Sequence, residues 1–121
     1  MKLLTKEILN KLPKLYSTDG IPLNEKLVVC KFFTPDSVYS YFAVEYDGVD
    51  RFFGYVCGAE KEWGYFSLRE LTETRGKLGL PIERDKFFKP AKVKDIEEIY
   101  PKEKNGYSMI VRFPTEKGRN N

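Results

Sequence analysis

The sequence predicts an α+β domain in which a central antiparallel β-meander carries short helices packed on it. Three observations support this class. Three β-branched and aromatic runs are separated by turn residues, helix signals flank those runs, and 121 residues suit a single domain. With 41% hydrophobic and 32% charged residues, the composition is typical of a globular protein. We expect one domain over residues 1–113 and a polar tail over residues 114–121.

A short helix is predicted at the start of the chain, where apolar residues recur at Ile8, Leu9 and Leu12 before Pro13. Residues 16–26 are rich in turn-forming residues and predict a loop. The three predicted strands follow, over Leu27 to Thr34, Tyr39 to Tyr46 and Arg51 to Gly58. Short turns join these strands, which therefore form a meander of hairpins.

The turn between the second and third strands decides which side chains share a face of the sheet. A two-residue turn at Asp47-Gly48 would oppose the like charges of Glu45 and Asp50, so we predict a four-residue loop over residues 47–50. That register puts Phe42, Val44, Tyr46, Arg51, Phe53 and Tyr55 on one face. The opposite face takes Tyr41, Ala43, Glu45, Phe52, Gly54 and Val56. Because neither face is polar throughout, we expect the second one to be covered at least in part.

The predicted cover is a helix that begins at Ser67, where Glu70 completes a capping box, and ends near Gly76. Its inward-facing side chains are predicted to be Leu68, Leu71 and Leu78. The remaining elements are predicted as a short helix over Val93 to Ile99 and a last strand over Tyr107 to Phe113.

The sequence contains no histidine, which is the commonest general base at neutral pH and the commonest metal ligand. Its two cysteines, Cys30 and Cys57, lie far apart within apolar runs, so we interpret them as buried thiols of a reducing compartment. There is no glycine-rich phosphate loop, and no apolar run is long enough to span a membrane. We therefore predict no catalytic residue, no metal, no cofactor and a cytoplasmic location.

Aromatic residues are the densest feature, because 12 of the 18 fall between residues 32 and 66. A small sheet cannot bury them all, so several tyrosines are expected at the surface, where rings beside cations stack unpaired bases. Residues 51–56 match part of an RNA-binding strand motif, but Phe52 replaces its glycine and Gly58 replaces an aromatic residue. The simpler interpretation is favoured: Gly54 relieves packing inside an aromatic strand.

The stretch from Arg84 to Lys94 has five basic residues against one acidic residue, a net charge of +4, beside the aromatic pair Phe87-Phe88. These lysines either belong to an ordinary strand or loop, with stems lying on the core, or form a patch that contacts phosphate or an acidic protein surface. The candidate residues for binding nucleic acid or a protein partner are Tyr39, Tyr41, Arg51, Tyr55, Lys86 and Lys89.

A group of acidic residues supports a third hypothesis, a carboxylate-dependent hydrolase. Glu45, Asp47 and Asp50, with Glu60 and Glu62 further on, have the oxygen ligands that Mg²⁺ prefers and the paired carboxylates that hydrolysis uses. Carboxylates at hairpin turns are more often solvated turn residues, so this hypothesis ranks below binding.

Matching motifs extend over roughly residues 3 to 97. They are Leu3 to Thr5, Leu12-Pro13, Leu15-Tyr16, Lys31 to Ser37, Phe52 to Val56, Trp63 to Leu68 and Gly79 to Asp85. Together they resemble a bacterial family of small proteins, classed as a domain of unknown function, that is found on plasmids, integrated elements and phages. The resemblance implies no catalytic residue or cofactor. It implies a small cytoplasmic protein of a mobile element, and such proteins often regulate transfer or block host defence. From the aromatic and basic residues, the leading hypothesis is a non-catalytic domain that binds nucleic acid or a nucleoprotein complex, and the alternative is an inhibitor of a host defence protein.

Overall fold

The computed structural model describes residues 2–101, so the predicted last strand over Tyr107 to Phe113 and the predicted tail lie outside the described residues. In chain order the elements are α1 (Lys6–Lys11), a 3-10 turn (Leu23–Glu25), β1 (Leu27–Val28), β2 (Cys30–Phe33), β3 (Ser40–Tyr46), β4 (Arg51–Cys57), β5 (Lys61–Ser67), α2 (Leu68–Glu73), β6 (Glu83–Arg84), β7 (Ala91–Lys92) and a second 3-10 turn (Val93–Asp95). Five strands form an antiparallel sheet in the order β5-β4-β3-β2-β6, and β1 pairs separately with β7. The predicted α+β class is confirmed.

The predicted strands are present, but the first is broken and a fourth long strand was missed. The first run divides at Val29, whose N–H donates to the carbonyl of Ala43 while β1 turns away to pair with β7. The missed strand is β5, which pairs with β4 along its whole length. Its charged first residues and Gly64 dilute the β-branched and aromatic signal, and only its pairing with a buried neighbour makes it a strand.

Both helices begin at a side-chain cap, and the cap at Ser67 is the one that the sequence predicts. The Thr5 hydroxyl accepts a hydrogen bond from the N–H of Ile8, and the Ser67 hydroxyl accepts one from the N–H of Glu70. α2 ends at Glu73, earlier than predicted, and Leu78 is 82% exposed rather than facing inward. Only the first turn of the predicted helix after residue 92 is regular, as the second 3-10 turn.

A β-bulge near the end of β3 changes which residues share a face. The predicted register holds from Ser40 to Ala43, but the pairing shifts by one residue between Ala43 and Glu45. Because side chains alternate along a strand, Glu45 and Tyr46 lie on the faces opposite to those predicted. Tyr46 consequently stacks on Phe52, with ring centroids 4.4 Å apart. The four-residue loop over residues 47–50 is confirmed.

Hydrophobic cores lie on both faces of the sheet. The Trp63 face packs Phe42, Val44, Phe53, Tyr55 and Trp63 against Val93, Ile96 and Ile99. The Phe52 face packs Phe32, Ala43, Tyr46, Phe52 and Phe66 with Leu4, Leu71 and Ile82. The expectation that α2 covers the second face is confirmed, and the residues around α1 share that role. Among residues 2–101, the helices are all too short and too polar to cross a bilayer.

Asp36 connects two loops that are distant in sequence. It lies between β2 and β3, and its Oδ2 atom accepts hydrogen bonds from the N–H groups of Leu78 and Leu80, in the loop after α2. Gly76 leaves room for this contact, because a Cβ atom there would lie 1.5 Å from Asp36 Oδ1. We call this set of contacts the Asp36 clamp.

Candidate binding groove

A groove of about 700 Å³ lies on the Phe52 face, between the start of β3 and α2. Part of its floor is a row of paired residues, Tyr41 on β3, Val56 on β4 and Glu62 on β5. Paired residues on adjacent antiparallel strands point to the same side of a sheet, so these three side chains belong to one surface. The volume falls within the usual range for ligand sites.

Tyr39 and Tyr41 form an aromatic wall of the groove. Their rings are stacked, with centroids 6.3 Å apart and planes 20° apart, and Tyr41 also packs on Phe66 at 5.4 Å. The backbone of Tyr39 is held by Thr34, whose hydroxyl accepts a hydrogen bond from the Tyr39 N–H at 2.9 Å. The ring of Tyr39 lies against Gly58, where a Cβ atom would be 2.3 Å from the nearest ring carbon. Tyr39 remains 40% exposed, so its ring is accessible to a ligand.

Carboxylates supply the ionisable groups on the other sides of the groove. Glu60 and Glu62 line it from the β4–β5 turn and β5, and Glu70 lines it from α2. Over the part of the chain that the structure describes, no Lys or Arg lines this groove. Burial raises the pKa of Tyr41, and the neighbouring Tyr39 and the negative charge of Glu70 raise it further. We name this surface the acidic aromatic groove.

The structure separates the predicted site residues. Tyr39 and Tyr41 lie together in the groove, whereas Tyr55 is 2% exposed on the Trp63 face. Its ring packs edge-on against Trp63, with centroids 5.5 Å apart, so the expectation that it contacts a partner is corrected. Arg51 is exposed at the start of β4, and its guanidinium lies over the ring of Tyr65 with 5.6 Å between the guanidinium carbon and the ring centroid.

The partial RNA-binding motif on β4 has no accessible aromatic ring. Phe52 is buried on the Phe52 face, and Phe53 is buried on the Trp63 face together with the neighbouring Tyr55. The simpler interpretation of Gly54 is confirmed, because a Cβ atom there would lie 1.9 Å from the carbonyl oxygen of Phe42 on the neighbouring strand. Glycine at this position permits the close approach of two backbones.

Lys86 and Lys89 lie in the loop between β6 and β7, at a distance from the tyrosines. The Asp85 N–H donates to the carbonyl of Lys31, so the chain leaves β6 toward the Cys30 end of β2 and away from Tyr39. Both lysines are exposed, and within residues 2–101 they form no ion pair. We call residues 85–90 the basic loop.

The other basic residues of this stretch have partners in the fold. Lys92 and Lys94 form ion pairs with Glu25 at 3.1 and 2.8 Å, and these contacts lower the pKa of Glu25 below its ordinary value. Arg84 donates to the carbonyls of Lys2 and Leu3. The net charge counted along the sequence therefore overstates the free positive charge of the surface.

The carboxylates of the proposed hydrolase group contribute to the fold. Asp47 Oδ1 accepts hydrogen bonds from the N–H groups of residues 49, 50 and 51, which hold the pKa of Asp47 below its ordinary value. Asp50 Oδ1 accepts one from the N–H of Arg69. In the part of the chain that the structure describes, no three His, Cys, Asp or Glu residues converge to hold a metal ion.

Glu45 is fully buried under the loop that follows α1. It accepts hydrogen bonds from the N–H groups of Tyr16 and Thr18 at 2.8 and 3.1 Å, and from the Thr18 hydroxyl. The ammonium of Lys26, also fully buried, donates to the same hydroxyl at 2.9 Å and to the Thr18 carbonyl. Tyr16 has a φ of 69°, a left-handed conformation that its bond to Glu45 helps to fix.

Both cysteines are buried and unpaired, as interpreted from the sequence. Burial raises the pKa of the Cys30 thiol to about 12 and that of the Cys57 thiol to about 11. Since the thiolate is the reactive form, neither side chain is poised as a nucleophile.

The sheet, its two cores and the acidic aromatic groove define a small α+β domain built on one antiparallel meander. The chain belongs to a family described as a protein of unknown function (DUF2958), whose model matches residues 3–96. That range contains the five-stranded sheet, both helices and the groove. No curated protein matches the chain, and no solved structure does.

Sequence reasoning missed the acidic part of the groove. In the sequence, Glu70 is recognisable only as a capping residue, and Glu60 and Glu62 group with Glu45 rather than with the tyrosines. Had β5 been predicted, the period-two spacing of Glu60, Glu62, Gly64 and Phe66 would have put these residues on one face. The strand pairing that brings this face beside Tyr41 is a long-range feature.

Proposed function

We propose that this chain is a non-catalytic protein-binding domain that holds its partner in the acidic aromatic groove. One observation carries the proposal: the accessible tyrosine wall formed by Tyr39 and Tyr41 faces carboxylates and not lysines. Tyrosine is enriched among the residues that dominate protein interfaces, because its ring contributes a large contact area at a low entropic cost. Phosphate groups would be repelled by Glu62 and Glu70, so the groove favours protein over nucleic acid.

The resemblance to small proteins of plasmids, integrated elements and phages supports a particular kind of partner. Small proteins of that setting often regulate transfer or block host defence, and blocking host defence is a role that needs contact with a protein rather than with nucleic acid. We therefore propose a host protein as the partner of the groove. The buried, unpaired state of Cys30 and Cys57 is compatible with action in the reducing cytoplasm.

The proposal is tested by affinity capture from a nuclease-treated host lysate, with bound proteins quantified by mass spectrometry. We expect the partner protein to be captured even after nuclease treatment. The captured amount is expected to fall by about tenfold or more with Tyr39→Ala, because truncating an interface tyrosine typically removes about 2 kcal/mol of binding free energy. Val49→Ala is the control, since Val49 is an exposed apolar side chain in the loop between β3 and β4 and does not line the groove. Capture that disappears with nuclease, or that Tyr39→Ala leaves unchanged, contradicts the proposal.

The basic loop supports a second candidate function, contact with nucleic acid. Phe87 is 92% exposed between Lys86 and Lys89, and an exposed ring beside cations is suited to stacking on an unpaired base. This surface is separate from the groove, so the two functions are tested independently.

For nucleic-acid binding, we expect the double variant Lys86→Ala/Lys89→Ala to flatten the dependence of log affinity on log salt concentration. Each lost phosphate contact removes about 0.7 from the slope for single strands, so the expected change is about 1.4. The measurement is fluorescence anisotropy with a labelled oligonucleotide across a salt series, and Lys77→Ala is the control because Lys77 is exposed in a different loop. A slope equal to that of the unmodified protein contradicts this second function.

A further inference from the structure

We propose that the acidic aromatic groove recognises an arginine side chain, presented by a basic segment of the partner protein. This inference rests on the proposed function and specifies the chemistry of the same site. It follows from the accessibility of the tyrosine wall, the positions of the carboxylates and the shape of the guanidinium group.

The tyrosine wall offers a flat π-surface of fixed orientation. Tyr39 is held at its backbone by Thr34, lies against Gly58 and stacks on Tyr41, yet keeps 40% of its surface exposed. Cations bind over the faces of tyrosine rings within about 6 Å of the centroid. Because the ring is fixed before the ligand arrives, little side-chain entropy is lost on binding.

The carboxylates are at a suitable separation from this wall. Glu62 and Tyr41 occupy one row of the sheet with Val56 between them, and adjacent strands are about 4.8 Å apart, so the two positions are about 10 Å apart. A planar group that stacks on the tyrosines is therefore within reach of carboxylates on the opposite wall. Burial raises the pKa of Tyr41 most, and Tyr39 and the negative charge of Glu70 raise it further, so Glu70 lies near that phenol.

Arginine is the cation that matches both walls. Its guanidinium is planar, stacks on aromatic faces and donates paired hydrogen bonds to carboxylates, whereas the lysine ammonium is compact and strongly hydrated. A divalent cation suits the site less well, because over residues 2–101 the carboxylates do not converge into a set of metal ligands. Desolvation in a groove of about 700 Å³ strengthens the attraction between the guanidinium and the glutamates.

The experiment titrates isotopically labelled protein with two synthetic peptides and follows the amide signals by NMR. The first peptide is Gly-Gly-Arg-Gly-Arg-Gly-Gly, and the second has citrulline in place of both arginines. Citrulline keeps the shape of arginine and removes the charge. We expect the arginine peptide to shift the amide signals of the residues around the groove, and to bind about tenfold more tightly than the citrulline peptide. Added salt is expected to lower the affinity for the arginine peptide but not for the citrulline peptide.

Two variants test the carboxylates directly. Glu62→Gln and Glu70→Gln are each expected to lower the affinity for the arginine peptide about threefold or more and to leave the affinity for the citrulline peptide unchanged. Gln also serves at the third position of a capping box, so Glu70→Gln preserves the start of α2. Glu97→Gln is the matched control, because Glu97 is exposed and does not line the groove.

Equal affinity for the two peptides overturns the inference, and so does the absence of shifts around the groove with either peptide. Neither result bears on the wider proposal, which depends on whether a captured protein survives nuclease and is lost with Tyr39→Ala. If a partner is captured in that way and neither Glu62→Gln nor Glu70→Gln lowers its capture, the protein-binding function is retained. That result would exclude arginine as the ligand of the groove.

Discussion

Replacing Glu45 with alanine is expected to lower the free energy of unfolding by about 3–5 kcal/mol, the usual cost of removing one member of a buried charged network. The change leaves the N–H groups of Tyr16 and Thr18 without their carboxylate acceptor and leaves the ammonium of Lys26 buried without the nearby negative charge. Thermal unfolding measures the effect, with an expected fall in Tm of about 10 °C or more for a domain of this size.

Glu97→Ala is the control for this prediction, since an exposed glutamate is expected to change stability by no more than about 0.5 kcal/mol. The double variant Glu45→Gln/Lys26→Met extends the test. It is expected to be less destabilised than the sum of its two single variants, because it leaves no charge buried alone. Strict additivity would show that Glu45 and Lys26 are not energetically coupled, and an unchanged Tm for Glu45→Ala would show that the buried network does not contribute to stability.

The second large effect is expected for Gly54→Ala. A Cβ atom at this position would lie 1.9 Å from the carbonyl oxygen of Phe42, and this obstructing atom belongs to the backbone of a neighbouring central strand. A side chain can rotate away, but here β3 and β4 must separate. We expect a loss of about 3 kcal/mol, at the upper end of the cost of overpacking, measured by urea unfolding.

Gly20→Ala provides the comparison for Gly54→Ala, because no atom lies within 4 Å of a Cβ atom built at Gly20. The same chemical change is therefore expected to be close to neutral in that loop. If both variants lose similar free energy, the loss is not specific to the crowded position, and a clash with the Phe42 carbonyl is not its cause.

Local features of the fold were predictable from sequence because their causes are local. The hydroxyls of Thr5 and Ser67 start the two helices, and the like charges of Glu45 and Asp50 correctly excluded a two-residue turn. The period-two pattern also separated Phe42 from Ala43, which lie in different cores. Each of these conclusions depends on residues within a few positions of one another.

The bulge in β3 was not predictable in the same way. Tyr46 and Glu45 exchange faces because the pairing slips by one residue, and that slip lets the Glu45 carboxylate meet the N–H groups of Tyr16 and Thr18. The favourable partner lies 27 to 29 residues earlier in the chain. No window along β3 contains that partner, so the strand pattern alone favours the wrong face.

The candidate site was predicted in part. Tyr39 and Tyr41 were identified from aromatic density, but density alone could not distinguish them from the buried Tyr55. The sequence groups Lys86 and Lys89 with these tyrosines as candidate binding residues, and the direction in which the chain leaves β6 takes the lysines elsewhere. Which charges surround an exposed ring depends on the order of strands in the sheet, and that order is a property of the whole fold.

The Asp36 clamp connects the chain segments on either side of the groove. The segment that carries Asp36 leads directly into Tyr39, and the segment it holds, at Leu78 and Leu80, follows the helix that carries Glu70. The carboxylate of Asp36 thus joins the two segments beside the groove. The groove therefore has its binding shape before a ligand arrives. Breaking these contacts, by Asp36→Ala or by a side chain at Gly76, is expected to lower the affinity for a ligand, although neither change removes a group that contacts the ligand.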